Sequence, residues 1–220
     1  MTARRPRVAI DGAAGAGKST LGRALARALG VPFLNTGAMY RSLAARALSA
    51  GADLEDGEAL AALARSVEFA MDAKGDPPGL LIDGRPPGDH LSSPAVERSV
   101  SLVARHPAVR RVMAAEQRRL AGGGGVVEGR DIGTVVLPDA DVKIFLRASE
   151  RERAARRVAE REGPAGELAS ALARRDALDA KVNPLVAAPD AVEIDTEGRD
   201  QRAVLDEALG VVSAALARED

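Results

Sequence analysis

The sequence predicts a three-layer α/β fold with a central parallel five-stranded sheet, a small antiparallel β insertion and a helical lid. Three observations predict it. Short apolar runs alternate with longer stretches of helical periodicity, the pattern of parallel strands joined by covering helices. A glycine-rich loop, Gly12-Ala13-Ala14-Gly15-Ala16-Gly17-Lys18-Ser19, separates the first such strand from the first such helix. The 220 residues are 46% hydrophobic and only 2% aromatic, which suits one domain with a sizeable aliphatic core.

Taken in order, Val8-Ala9-Ile10 is a buried strand. Thr20 to Leu29 spaces Leu21, Ala24, Leu25, Ala28 and Leu29 as a helix does. Val31-Pro32-Phe33-Leu34 is a second strand, Asn35-Thr36-Gly37 a turn, and Ala38 to Ala50 and Glu55 to Arg65 are helices. Val67 to Asp72 and Leu80 to Asp83 are β-leaning runs separated by Lys74-Gly75-Asp76-Pro77-Pro78-Gly79. Residues 66–92 are therefore expected to form an antiparallel insertion projecting from the main body. Helices follow at Pro94 to Arg105 and Pro107 to Leu120, each opened by proline at a favoured first position. Val126-Val127-Glu128 and Val142 to Leu146 are strands. Ser149 to Glu162 is a charged helix capped by Ser149, with Glu152 three residues on. Gly163-Pro164-Ala165-Gly166 breaks it, and Glu167 to Leu178 is a second charged helix. Ala191 to Asp195 and Asp200 to Ala217 complete the pattern as strand and helix.

Composition excludes several functions. A net charge of -1 gives no general pull toward nucleic acid or membrane, and so few aromatics leave no stacking platform for single strands. No cysteine is present, so disulfides and thiolate chemistry are out. His90 and His106 are too few for a histidine metal site. No stretch approaches the roughly 20 apolar residues of a membrane span, and no apolar segment follows the basic N-terminus. A soluble cytoplasmic protein is expected.

The loop carries the chemistry. It fits G-x-x-x-x-G-K-[ST] at every fixed position and lies between strand and helix, as that motif requires. Its glycines let successive N–H groups turn inward on a phosphate, and the helix adds its positive end. Lys18 supplies a point charge, and the Ser19 hydroxyl can hold Mg²⁺. Only four of the 31 basic residues are lysine, and one stands where the motif asks for it. Nucleoside triphosphate binding follows. The loop alone does not choose among kinases, GTPases, motors and transporters, but no N-K-x-D base element and no transporter signature occur.

Three further clusters bear on the reaction. Thr36-Gly37-Ala38-Met39-Tyr40-Arg41 puts an arginine one turn into a helix beside a strand end, where α/β sheets bind ligands; its fork suits phosphate, while Thr36 suits a helix cap or the same phosphate. Glu128-Gly129-Arg130-Asp131-Ile132-Gly133-Thr134 sets a cation and an anion on a turn after a strand. Arg130 can bind phosphate, Asp131 can accept from an amine, and Glu128 can orient a Mg²⁺-bound water. Arg174-Arg175-Asp176-Ala177-Leu178-Asp179, with Arg151, Arg153, Arg156 and Arg157, loads a helical hairpin with arginine. Such a hairpin suits a mobile lid that closes over phosphates and excludes water, or a solvated, salt-bridged face. These residues alone leave open a kinase of UMP, AMP or another metabolite, or a nucleotide-binding regulatory module.

From about Arg7 to Leu216 the chain resembles the bacterial cytidylate kinases of the nucleoside monophosphate kinase group, which are P-loop kinases. The likeness is carried by IDGAAGAGKST, TGAMYR, EGRDIGTVVLPDADVKIFLRAS and RRDALD followed by PL. It implies phosphoryl transfer from ATP to CMP or dCMP with Mg²⁺, by a monomer with a single domain over residues 1–220, a monophosphate-binding insertion at 66–92 and a lid at 149–185. It implies that Gly12, Ala13, Ala14, Gly15, Ala16, Gly17, Lys18, Ser19 and Thr20 hold ATP phosphates. Thr36, Arg41 and Arg130 would hold the CMP phosphate, with Tyr40 beside the acceptor. Ser101, Arg110 and Asp131 would face the cytosine, and Arg175 and Asp179 would reach sugar and phosphates. An acceptor such as Asp131 suits the cytosine amine, and Arg110 and Ser101 suit its O2 and N3. Lys18, Arg130, Arg157 and Arg175 would stabilise the transferring group. One departure stands out: Asp179-Ala180-Lys181-Val182-Asn183-Pro184-Leu185 lacks an arginine that relatives carry and has only Lys181, which cannot make the same bidentate contact.

Overall fold

A computed structural model describes residues 5–72, 74–160 and 185–218, with positions 166, 170, 177 and 178. The expected helix at 167–178, apart from those positions, and Arg175, Asp179 and Lys181 lie outside the described residues; so does the side chain of Arg157.

Seven strands form one sheet: β1 (Arg7–Gly12), β2 (Phe33–Asn35), β3 (Phe69–Asp72), β4 (Gly79–Ile82), β5 (Gly125–Gly129), β6 (Val142–Arg147) and β7 (Val192–Asp195). The order is β3-β4-β2-β5-β1-β6-β7. The five strands expected from the apolar runs are present and parallel: β2, β5, β1, β6 and β7. The insertion is a correction. Strands β3 and β4 are antiparallel to each other as expected, but they do not project from the body. Strand β4 pairs parallel with β2 at Phe33 and Gly79, where the Phe33 amide donates to the Pro78 carbonyl at 2.8 Å, so the hairpin extends the central sheet.

Among the described residues, seven α-helices connect and cover the strands: α1 (Lys18–Leu29), α2 (Thr36–Ser49), α3 (Gly57–Arg65), α4 (Pro94–Ala104), α5 (Pro107–Ala121), α6 (Glu150–Glu160) and α7 (Gln201–Leu216). Alternation along the strands builds two cores. Val8, Ile10, Phe33 and Val126 face α1 and α7 with Leu21, Leu25 and Val212. Ala9, Leu34 and Val127 face the other side with Leu43, Leu60, Val100 and Met113 from α2 to α5. Two-residue periodicity on the strands thus produces the three layers. Leu25, Leu43 and Met113 are fully buried, each stabilising by about 2 kcal/mol through surface removed from water.

The order of strands positions the site. Strand β1 lies between β5 and β6, and Asp11 is in register with Gly129. The segments leaving β1 and β5 therefore emerge side by side at the carboxyl edge, where open parallel sheets bind ligands.

Candidate active site

The loop after β1 is made largely of backbone. Gly15 and Gly17 sit at φ +76° and +91°, conformations that L-residues resist. A Cβ on Gly15 would lie 3.1 Å from the Arg153 carbonyl oxygen and 3.2 Å from the Arg153 Cβ, so α6 closes directly onto the loop. Gly17 begins α1 with no side chain capping its first turn. By contrast Asn35, Asp56 and Asp200 cap α2, α3 and α7 with side-chain oxygens. The first amides of α1 are left to serve an anion, with the helix dipole behind them.

Side chains brace this loop. Lys18 Nζ donates to the Ala13 carbonyl at 2.7 Å. The Arg153 guanidinium, on a buried side chain of α6, donates to the Ala14 carbonyl at 2.9 Å. Arg156 donates to the hydroxyl and carbonyl of Thr196, and to Glu152 at 3.1 Å. Ser149 caps α6 as its sequence predicts: its hydroxyl accepts from the Glu152 amide at 3.2 Å. Both its own amide and hydroxyl donate to Glu197, holding that carboxyl below its ordinary range.

Beneath the loop, the Ser19 hydroxyl donates to Glu128 Oε1 at 2.6 Å. Glu128, 3% exposed, stands on β5. A hydroxyl and a buried carboxylate side by side form an all-oxygen donor pair, which suits a hard cation such as Mg²⁺ that keeps most of its shell for water and phosphate. No cluster of three or more acidic, histidine or cysteine ligands occurs among the described residues.

The second half of the site gathers side chains from separate elements. On the turn after β5, Asp131 accepts from Arg110 of α5 at 2.6 Å, both partly exposed. Tyr40 of α2 lies within the field of this pair. Its burial pushes the phenol far above its ordinary value, Arg110 pulls it down and Asp131 raises it, so its hydroxyl stays protonated. Thr36 does not cap α2; Asn35 does, accepting from the Ala38 amide at 2.8 Å. The Thr36 hydroxyl instead donates to the Glu128 carbonyl at 2.6 Å, tying the start of α2 to β5. Arg41 turns back over Gly37, where a Cβ would lie 3.1 Å from Nη1. Ser101, 8% exposed, is on α4, which packs against α2. Arg130 is partly buried between Gly129 and Asp131. Arg110 also borders a hollow of 540 Å³ with Arg105, Arg111 and Arg118.

The structure thus joins Ser19 with Glu128, Thr36 with β5, and Arg110 with Asp131 and Tyr40. It also shows residues that sequence reasoning missed. Asp11 at the end of β1 bonds the turn after Asp131; its signal was a lone carboxylate closing an apolar strand. Arg153 and Thr196 brace the phosphate loop. From the sequence Arg153 is one of a row of lid arginines with nothing to mark it as the brace of the loop, and Thr196, whose hydroxyl reaches the Ala16 carbonyl, carries no signal.

The family model described as cytidylate kinase matches residues 8–214. A cytidylate kinase of Geobacillus kaustophilus is 47% identical, covering 96% of this chain and 97% of its own. One of Pelotomaculum thermopropionicum is 46% identical, covering 95% and 96%. Among solved structures, a gluconokinase from Sinorhizobium meliloti 1021 is similar in fold alone, with a TM-score of 0.50 and 19% identity over 96% of this chain and 93% of that one.

Proposed function

Because the chain belongs to the cytidylate kinase family, we infer that it transfers the γ-phosphoryl group of ATP to CMP or dCMP, giving ADP and CDP or dCDP. The observation that carries this reading is the adjacency of the two strand ends. A phosphate-binding loop leaves β1, and a paired Arg110 and Asp131 stand by the turn leaving β5, its neighbour.

The acceptor is already a phosphate oxyanion near neutral pH, so no strong general base is required. Tyr40, with its phenol held protonated, acts as a donor beside the acceptor and not as a base. The task is to bring two polyanions together, and positioning with charge neutralisation supplies most of the acceleration. Residues 12–20 hold the triphosphate. Lys18 exchanges the Ala13 carbonyl for the outer phosphates. Ser19 and Glu128 would hold Mg²⁺, which when bound would supply neutralising charge to the triphosphate. Thr36, Arg41 and Arg130 take the acceptor phosphate. Asp131 accepts from the cytosine amine, and Arg110 and Ser101 donate to its ring acceptors. Arg157 and Arg175 complete the charge around the transferring group, and Asp179 the sugar contact, from a lid at 149–185 whose first helix already touches the loop. The insertion at 66–92 encloses the monophosphate. The proposed working form is a monomer, acting in the cytoplasm on nucleotides and not on nucleic acid.

Release of ADP from ATP-Mg²⁺, measured in parallel with CMP, dCMP, UMP and AMP, tests the reading. Turnover concentrated on CMP and dCMP is expected. Comparable turnover with UMP or AMP would remove the assigned base contacts.

A further inference from the structure

Asp11 is the last side chain of β1 before Gly12, follows the apolar run Val8-Ala9-Ile10 and is 5% exposed. Its two oxygens take two successive amides. Oδ1 accepts from Ile132 N at 2.8 Å, and Oδ2 from Gly133 N at 2.7 Å. Burial pushes this carboxyl up, against the lowering effect of those two bonds; Asp131 raises it further and Lys18 lowers it. A buried carboxylate is unfavourable unless hydrogen-bonded, so its presence needs a reason beyond packing.

The amides it holds follow Asp131 directly and open a single π-helical turn, Ile132–Val136. The Asp131 backbone, at φ −145° and ψ 30°, is neither helical nor extended. Its carbonyl accepts from Val135 N at 2.9 Å and Val136 N at 3.1 Å. The stem of Lys143 also closes on the turn: a Cβ on Gly133 would lie 3.1 Å from Lys143 Cδ and 3.4 Å from Asp11 Oδ2. Lys143 is itself fixed, donating to the Pro138 carbonyl at 2.7 Å and to Asp190 at 2.9 Å. Residues 132–133 are therefore held by a carboxylate and packed by a pinned alkyl chain. The direction in which Asp131 leaves the backbone depends on that grip.

We propose that Asp11 is the positioning residue of the acceptor site: it fixes the Ile132 and Gly133 amides and thereby aims Asp131, with Arg110 upon it, at the pyrimidine. This rests on the reading of Asp131 as a base contact. Asparagine cannot replace Asp11, because it offers one acceptor oxygen and turns an NH₂ donor toward the second amide.

The test compares Asp11→Asn with Asp131→Asn in steady-state ADP release, using CMP and UMP. For Asp11→Asn, KM for CMP is expected to rise about tenfold and the CMP-over-UMP ratio of kcat/KM to fall about tenfold, with KM for ATP within about twofold. A merely structural role would lower activity with both acceptors alike and leave the ratio standing; that result overturns the proposal. An intact ratio in Asp11→Asn beside a collapsed one in Asp131→Asn overturns the role of Asp11 alone. An intact ratio in both overturns the base reading and the proposal with it. If Asp11→Asn does not fold, hydrogen exchange in the unaltered enzyme decides. Ile132 and Gly133 amides protected like those of β1, and slowed further by CMP, support the proposal; exchange as fast as exposed loops overturns it.

Discussion

The segment leaving β1 is shaped by its backbone, whereas the segment leaving β5 presents side chains. The loop at 12–19 is contiguous, shaped by positive-φ glycines and an uncapped helix start. The proposed acceptor side draws Tyr40 from α2, Ser101 from α4, Arg110 from α5 and Asp131 from the turn. A backbone cradle recognises phosphate on any nucleotide. Discrimination among bases needs donors and acceptors at fixed places, and only side chains vary enough to supply them. The difference predicts a division of labour: damage to the loop should slow every acceptor equally, and damage to the pair should change the choice among them.

The largest expected effect is on the loop. Lys18→Ala should lower kcat by about 10²–10³-fold with CMP and UMP alike, since it removes charge stabilisation of the transferring group; single-turnover rates check it. Next, Asp131→Ala should reduce the CMP-over-UMP ratio of kcat/KM by about 10–100-fold, the consequence of losing a hydrogen bond to the base amine, with KM for ATP nearly unchanged. Gly15→Ala should sharpen the contrast from the backbone side. The new Cβ meets Arg153 at a backbone angle of +76°, so melting temperature should fall by a few degrees and ATP affinity by about tenfold, without a change of acceptor preference. Calorimetry with ATP and with CMP separates the two.

The smallest effect concerns the start of α6 and its pH dependence. The Ser149 amide and hydroxyl hold the Glu197 carboxyl below its ordinary value of 4.5. A depressed acid contributes stability that is present above its unfolded value and lost as pH falls through the folded one. Glu197→Gln should therefore flatten the melting temperature against pH just below pH 4.5. At pH 7 it should cost no more than about 2 °C, because the group is exposed.

How much of this was legible in the sequence follows the same contrast. The five parallel strands and the loop motif are local patterns, and they fall within a residue or two of where they were read. Helix α1 begins at Lys18 and not Thr20, because the motif's own lysine and serine form the first helical turn. Asn35-Thr36-Gly37 reads as a turn, yet the Asn35 side chain caps a helix there. The insertion was recognised as a hairpin, but its attachment to β2 depends on the Phe33 amide meeting the Pro78 carbonyl, and no local pattern encodes that. The acceptor site was legible only residue by residue. The grip of Asp11 on Ile132 spans 121 positions and that of Arg153 on Ala14 spans 139; such contacts exist only once the sheet order is set.

The division of labour is tested most directly by kcat/KM for CMP and for UMP in the unaltered enzyme, Lys18→Ala and Asp131→Ala. The predicted result is a CMP-over-UMP ratio that survives the loss of Lys18, though both rates collapse, and that falls toward unity on loss of Asp131. A ratio that shifts with Lys18, or that persists without Asp131, would contradict it.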